Sequence, residues 1–214
     1  MDLILDLFHK LRDLDALVAW AGMAGLAGII FTETGLFFGF FLPGDSLLVT
    51  AGLLSATPDS PVKFDLVTLG SLLSAAAILG DNTNYWVGRL TGPRIFKRDD
   101  SFFFKKKYVD EAHAFYEKWG PVTVVLCRFM PIIRTFAPLV AGVAVMRYRT
   151  FLTFSIMGGL AWIWSMLLTG FLLGRYVPGV AQHVEKVIIL VVLISISPAI
   201  LGAIKARRAV RGNP

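Results

Sequence analysis

Four charged residues, Glu33, Asp45, Arg128 and Arg134, lie inside apolar stretches of this chain, and Pro43 or Pro131 stands close to three of them. An ion in hydrocarbon costs about 3 kcal/mol or more, so such a residue persists only beside a partner, in a water-filled cavity or at a functional site. The two acids fall in the first half of the chain and the two arginines in the second. Oppositely charged sites on two interrupted apolar segments constrain the fold more than any other feature, and they point towards transport.

Of 214 residues, 56% are hydrophobic and 17% charged, whereas a soluble domain carries roughly a quarter charged residues. Such a chain can fill a bilayer with several helices, and a single membrane domain is expected, with no soluble catalytic domain attached. The single Cys127 excludes an internal disulfide and a thiolate metal site and reads as a small buried hydrophobe. The net charge of +6 is concentrated in the tail and in Arg89–Lys118, which holds eight Lys/Arg against five Asp/Glu. In so apolar a chain these stretches are topology signals, because basic loops stay in the cytoplasm; no nucleic-acid partner is expected. Asp2, Asp6, Asp13 and Asp15 stand where a signal peptide would be basic. Leu3, Ile4, Leu7, Phe8, Leu11 and Leu14 form one helical stripe, so residues 1–15 read as an interfacial amphipathic helix.

The first span covers residues 16–32. Residues 33–56 then hold two apolar arms joined at Pro43-Gly44-Asp45, and a polar loop follows at Thr57–Asp65. Each arm of roughly ten to twelve residues reaches about 15–18 Å, half of the hydrocarbon thickness. The segment is therefore expected to be a re-entrant hairpin. A second span occupies 66–88, with Asp81, Asn82 and Asn84 in its later part. Residues 89–120 form a basic connector carrying an amphipathic helix with Tyr108, Ala112, Phe115, Tyr116 and Trp119 on one face. Residues 121–146 are broken by Pro131 and Pro138 into half-length arms, giving a second hairpin. Spans at 151–174 and 187–204 and a basic tail at 205–214 complete the chain.

Placing the tail and the connector in the cytoplasm makes every loop agree with the positive-inside rule, with both termini cytoplasmic. The two hairpins then enter from opposite faces. Phe41-Leu42-Pro43 leads to Ala51-Gly52 much as Phe129-Met130-Pro131 leads to Ala141-Gly142. The expected fold is an all-α membrane protein with four transmembrane helices and two facing re-entrant hairpins in an inverted repeat, flanked by interfacial amphipathic helices. Transporters built this way place their sites at the midplane.

Glu33-Thr34-Gly35, Phe41-Leu42-Pro43-Gly44-Asp45-Ser46, Gly80-Asp81-Asn82 with Tyr85 and Gly88-Arg89, and the run from Arg128 to Pro138 together resemble the DedA family. These are bacterial inner-membrane proteins related to the VTT-domain, or SNARE-associated Golgi, group. The resemblance covers nearly the whole chain and implies two facing re-entrant loops, a role in envelope homeostasis linked to proton motive force, and translocation of phospholipid or polyprenyl phosphate. By position, Glu33, Asp45, Arg128 and Arg134 match the acidic and basic residues regarded as functional in that family.

Arg128 and Arg134 suit a lipid phosphate headgroup, since a guanidinium fork holds phosphate oxygens and stays charged. Broken helix ends add backbone N–H groups that favour an anion. Glu33 and Asp45 are candidates for coupling protons and for ion pairing: burial favours a neutral carboxyl and a nearby arginine favours the ionised one. Na+ is the other candidate coupling ion. Asp45 also suits the cap of the arm that follows Pro43 and Gly44. Pro43, Gly44, Pro131 and Pro138 are the expected hairpin breaks. Asp81 and Asn82, with Asn84, are candidates for lining the cavity or binding a cation, but hydrogen bonding to neighbouring helices is the favoured reading. Trp162 and Trp164 read as packing, and Gly22, Gly25 and Gly28 suit close helix contact within the chain or in a homo-oligomer. His9, His113 and His183 have no ligand spacing, so neither metal nor cofactor is expected. No nucleophile–base pair stands out, which argues against an enzyme. A small-ion antiporter and a non-transporting scaffold are the alternatives to lipid translocation.

Overall fold

Half-way along each of two long helices, an apolar surface is interrupted by groups that carry charge or donate hydrogen bonds. The computed structural model describes residues 14–36, 44–57, 60, 64–95, 122–130 and 133–177, and all of its elements are helical. They are α1 (Leu14–Gly35), α2 (Gly44–Ala56), α3 (Leu66–Ile95), α4 (Val122–Cys127), α5 (Ile133–Val143) and α6 (Tyr148–Tyr176). At about 1.5 Å per residue α3 and α6 are each roughly 44 Å long. Both are long and apolar enough to cross a membrane, whereas α2 and α5 are shorter apolar helices. Most of the amphipathic segment 1–15, Pro43, most of the connector, Pro131, the span at 187–204 and the tail lie outside the described residues.

The core is built by α2 lying on α6 and α5 lying on α3, so each short helix packs against the long helix of the other half. Glycines allow these approaches. A Cβ at Gly52 would strike the backbone of Leu167 and one at Gly170 that of Val49; likewise, a Cβ at Gly142 would strike Tyr85 and one at Gly88 would strike Leu139. Both contacts are thus glycine on backbone from either side, and they recur with the helices of the two halves exchanged. Leu47, Leu48, Ala51, Leu73, Trp162, Ile163 and Leu167 fill one apolar cluster; Tyr85, Val124, Ala141 and Phe151 fill a smaller one.

Three local expectations change. Glu33 does not interrupt the first helix, which continues to Gly35; glutamate is a good helix former, and its charge is met by an arginine described below. The break lies instead at Gly22, whose φ of 58° and ψ of −171° kink α1 in a region essentially restricted to glycine. Pro138 lies inside α5 and does not break it. The ring removes one backbone bond, and close packing of Ala141 and Gly142 on α3 holds the helix together. In addition, α3 runs past Gly88 to Ile95, with Arg89 donating to the Tyr85 hydroxyl at 3.1 Å and to the Met146 carbonyl at 3.4 Å.

Candidate functional site

The ends of three helices and the middles of two converge on the buried charges. α1 ends just beyond Glu33, α2 starts at Gly44 with Asp45 in its first turn, and α5 starts at Ile133 with Arg134 in its first turn. The chain leaves α4 after Cys127 and turns through Arg128–Met130 before α5. This interruption turns Arg128 and Arg134 inwards.

Arg134 bridges both acids. Its Nη2 donates to Glu33 Oε1 and its Nη1 to Asp45 Oδ1 at 2.6 Å. Glu33 is wholly buried and Arg134 is 8% exposed, so their charges are screened far less than those of a surface pair. The Glu33 carboxylate also lies where a Cβ of Gly44 would be, against the first turn of α2, where the helix dipole favours negative charge. Asn84 secures this arrangement from α3: its Nδ2 donates to the carbonyls of Thr34 at 3.3 Å and Thr135 at 2.6 Å, the neighbours of Glu33 and Arg134.

Arg128 makes a separate pair. Its Nη2 donates to Asp81 Oδ2, which also accepts from Ser155 Oγ at 2.6 Å. Of the two arginines the structure thus brings Arg134, and not Arg128, against Glu33 and Asp45; Arg128 pairs with Asp81, the third acid within an apolar stretch. Asp81 is a charge partner rather than a general cavity-lining group. Asn82 points elsewhere, donating to the Ile78 carbonyl at 2.7 Å and accepting from the Tyr148 hydroxyl at 2.9 Å.

Trp162, read from sequence as packing, joins the two charge groups. Its Nε1 donates to Asp45 Oδ1 at 2.8 Å, and the guanidinium carbons of Arg134 and Arg128 lie 4.6 and 6.0 Å from its ring centroid. Trp162 is near the middle of α6 and Asp81 near the middle of α3, so the site lies about half-way along both. Glu33, Asp45 and Asp81 face Arg128 and Arg134, three potential negative charges against two positive ones. Glu33 Oε2 and the Nε atoms of Arg128 and Arg134 are buried without a hydrogen-bond partner among the described residues. Cys127 is a free, buried thiol. Among the described residues no group of three His, Cys, Asp or Glu is placed to hold a metal ion.

Apolar helices of bilayer length enclosing paired charges at half their length are the features of a helical membrane protein. Residues 42–172 match the family model of the VTT domain. The chain is 39% identical over 216 residues to protein DedA of Escherichia coli, covering 98% of this chain and 97% of that one. It is 48% identical over 194 residues to an uncharacterised membrane protein of Mycobacterium tuberculosis (91% of this chain, 84% of that one). It is also 31% identical over 173 residues to the inner membrane protein YghB of Salmonella typhimurium (81% and 77%). No solved structure matches it. The chain belongs to the DedA family of VTT-domain membrane proteins.

Proposed function

We propose that this protein translocates a phosphate-bearing lipid, a phospholipid or a polyprenyl phosphate, across the bacterial inner membrane, with a proton exchanged at Glu33 and Arg134 receiving the headgroup. The observation that carries this reading is the excess of acid around Arg134: a set of three carboxylates, Glu33 and Asp81 buried and Asp45 half-buried, with two buried guanidiniums becomes neutral on taking up one proton. Glu33 Oε2 is a buried oxygen without a hydrogen-bond partner among the described residues, and a proton there weakens the hold of Glu33 on Arg134. The Nη2 of Arg134 is then freed beside its unpartnered Nε, and this Nε–Nη2 edge is available to a phosphate oxygen, next to the N-terminal turns of α2 and α5, whose dipoles favour an anion. Proton uptake and headgroup binding are coupled because both act on the same guanidinium.

The topology proposed with this function has four spans and two re-entrant hairpins entering from opposite faces, and both termini in the cytoplasm. The exchanged packing of α2 on α6 and α5 on α3 supports an inverted repeat, in which each short helix closes the half that contains the other. The chemistry is binding and movement, with no covalent step. The test is reconstitution in liposomes containing labelled phospholipid or labelled polyprenyl phosphate, with leaflet exchange followed with and without a pH gradient. Exchange that speeds up with the gradient and is lost in Arg134→Gln with the fold retained is expected. If neither lipid exchanges, the reading fails.

The same excess of acid favours one rival, a proton-coupled cation antiporter. In that case Arg134→Gln would spare ion exchange in vesicles free of labelled lipid, while Glu33→Gln would abolish it.

A further inference from the structure

We propose that Trp162 is a positioning residue for the bound anion, shared by both arginines. This rests on reading Arg134 as the site that receives a phosphate. The guanidinium carbons of both arginines lie over the indole, 4.6 and 6.0 Å from its centroid, and its N–H holds Asp45 at 2.8 Å. A guanidinium donates to an anion in its own plane, along its edges, and the indole over Arg134 holds that plane by cation–π attraction. At Arg134 both Nη atoms already donate to carboxylates, and at Arg128 Nη2 does so, whereas the Nε of each is buried without a partner among the described residues. With Arg134 held against the indole and its Nη atoms on the acids, a phosphate is directed to the Nε side of Arg134, at the start of α5.

The N–H has a second consequence. Asp45 Oδ1 accepts from both Arg134 and Trp162, so when Arg134 turns to a phosphate Asp45 keeps a donor. Glu33 has Arg134 as its donor on Oε1, and Oε2 has none. With Glu33 protonated and Asp45 held by Trp162, no carboxylate is left bare in the site when Arg134 turns to the phosphate.

The test reads Trp162 emission in the full-length protein carrying Trp20→Phe, Trp86→Phe, Trp119→Phe and Trp164→Phe. The protein is titrated in detergent with dihexanoyl phosphatidic acid and, separately, with uncharged dihexanoylglycerol. A saturable change with the phosphate-bearing lipid and none with the neutral one is expected. No change, or the same change with both, overturns the proposal. Should the four-fold variant fail to fold, the difference in emission between wild type and Trp162→Phe gives the same reading. In vesicles, Trp162→Phe keeps the ring and loses the N–H, and should raise the half-saturating lipid concentration about tenfold, the order of a hydrogen bond to a charged group. Trp162→Leu loses both and should raise it further. Wild-type half-saturation in both variants, with lipid exchange intact, refutes the role of Trp162 and leaves the proposed function standing. Absence of lipid exchange in every protein refutes the function, and the emission titration still decides whether an anion binds against Trp162.

Discussion

The carboxylate of Glu33, in the last turn of α1, occupies the space that a Cβ of Gly44 would fill at the start of α2. The glycine is needed because the acid lies on it. Gly44→Ala must therefore push Glu33 off Arg134 or displace the N-terminus of α2, at a cost of about 1–3 kcal/mol for overpacking a tight site. Thermal unfolding in detergent should show a lowered Tm. In a Glu33→Ala background, where the carboxylate is gone, adding Gly44→Ala should cost almost nothing further. An equal loss in both backgrounds would show that the contact does not govern the choice of glycine.

The division of the charges into an Arg128–Asp81 pair and a group of Arg134 with Glu33 and Asp45 gives a second expectation. Removing one member of a buried ion pair costs about 3–5 kcal/mol, because the other charge is left uncompensated. Arg128→Gln should be strongly destabilising, and Asp81→Asn added to it should recover a large part of the loss. The coupling between these two sites should lie within about 0.5–3 kcal/mol, the range for residues in direct contact. Glu33→Gln should rescue Arg128→Gln less well and Arg134→Gln better. Double-mutant cycles by denaturation in detergent distinguish this arrangement from one in which Arg128 shares the acids of Arg134.

Val145 offers a change in the opposite direction. The end of α5 has the bonds of a Schellman motif: Met146 N–H donates to the Ala141 carbonyl at 3.0 Å and Val145 N–H to that of Gly142 at 3.0 Å. That motif places its linking residue in the left-handed region, usually as glycine. Here the residue is Val145 at φ 54°, which is strained for a β-branched side chain. The Met146 carbonyl accepts from the Tyr85 hydroxyl at 2.5 Å, which holds the turn in place. Val145 is 54% exposed, so little packing is lost when its side chain is removed. Val145→Gly should stabilise by about 1 kcal/mol, the order of the left-handed penalty less the added chain entropy of glycine. A lowered Tm would show that the valine makes a contact that outweighs the strain.

How far the site could be read in advance depended on whether a residue's chemistry conflicts with its apolar surroundings. Glu33, Asp45 and Arg134 do conflict, and their meeting follows from the cost of leaving any one of them alone. The turn at Arg128–Met130 was legible for the same reason, together with its neighbouring proline. Asp81 was harder because Asn82 and Asn84 give its helix a polar side that neighbouring helices can satisfy. The signal was present in the charge count: with two acids assigned to one arginine, Arg128 lacked a partner, and Asp81 is the remaining acid within an apolar stretch. Trp162 and Ser155 carried no such signal, since an indole or a hydroxyl in a membrane helix is ordinarily accounted for by packing or a bond within the helix. The left-handed Val145 gave none either, because the residue type that usually marks that conformation is absent.

Asp65 lies outside the apolar segments and gives an expectation about pH. It precedes α3 and accepts the backbone N–H and the hydroxyl of Thr68, each at 2.7 Å. Its pKa is lowered, first by the backbone bond from Thr68 and then by the hydroxyl, because both donors favour the ionised acid at a helix N-terminus. A group whose pKa is lower when folded than when unfolded binds fewer protons in the folded state. Its contribution is fully present well above the unfolded value of about 4 and is lost as pH falls through the folded one. The start of α3 should therefore loosen on acidification in the wild type, whereas in Asp65→Asn that part of the pH dependence should vanish. Thr68→Ala should weaken it by removing the hydroxyl while leaving the backbone donor. Amide hydrogen exchange over the first turns of α3, followed from neutral pH down past the acid's range and corrected for intrinsic exchange rates, measures this directly. An unchanged profile in Asp65→Asn would assign the acid response of this turn to another group.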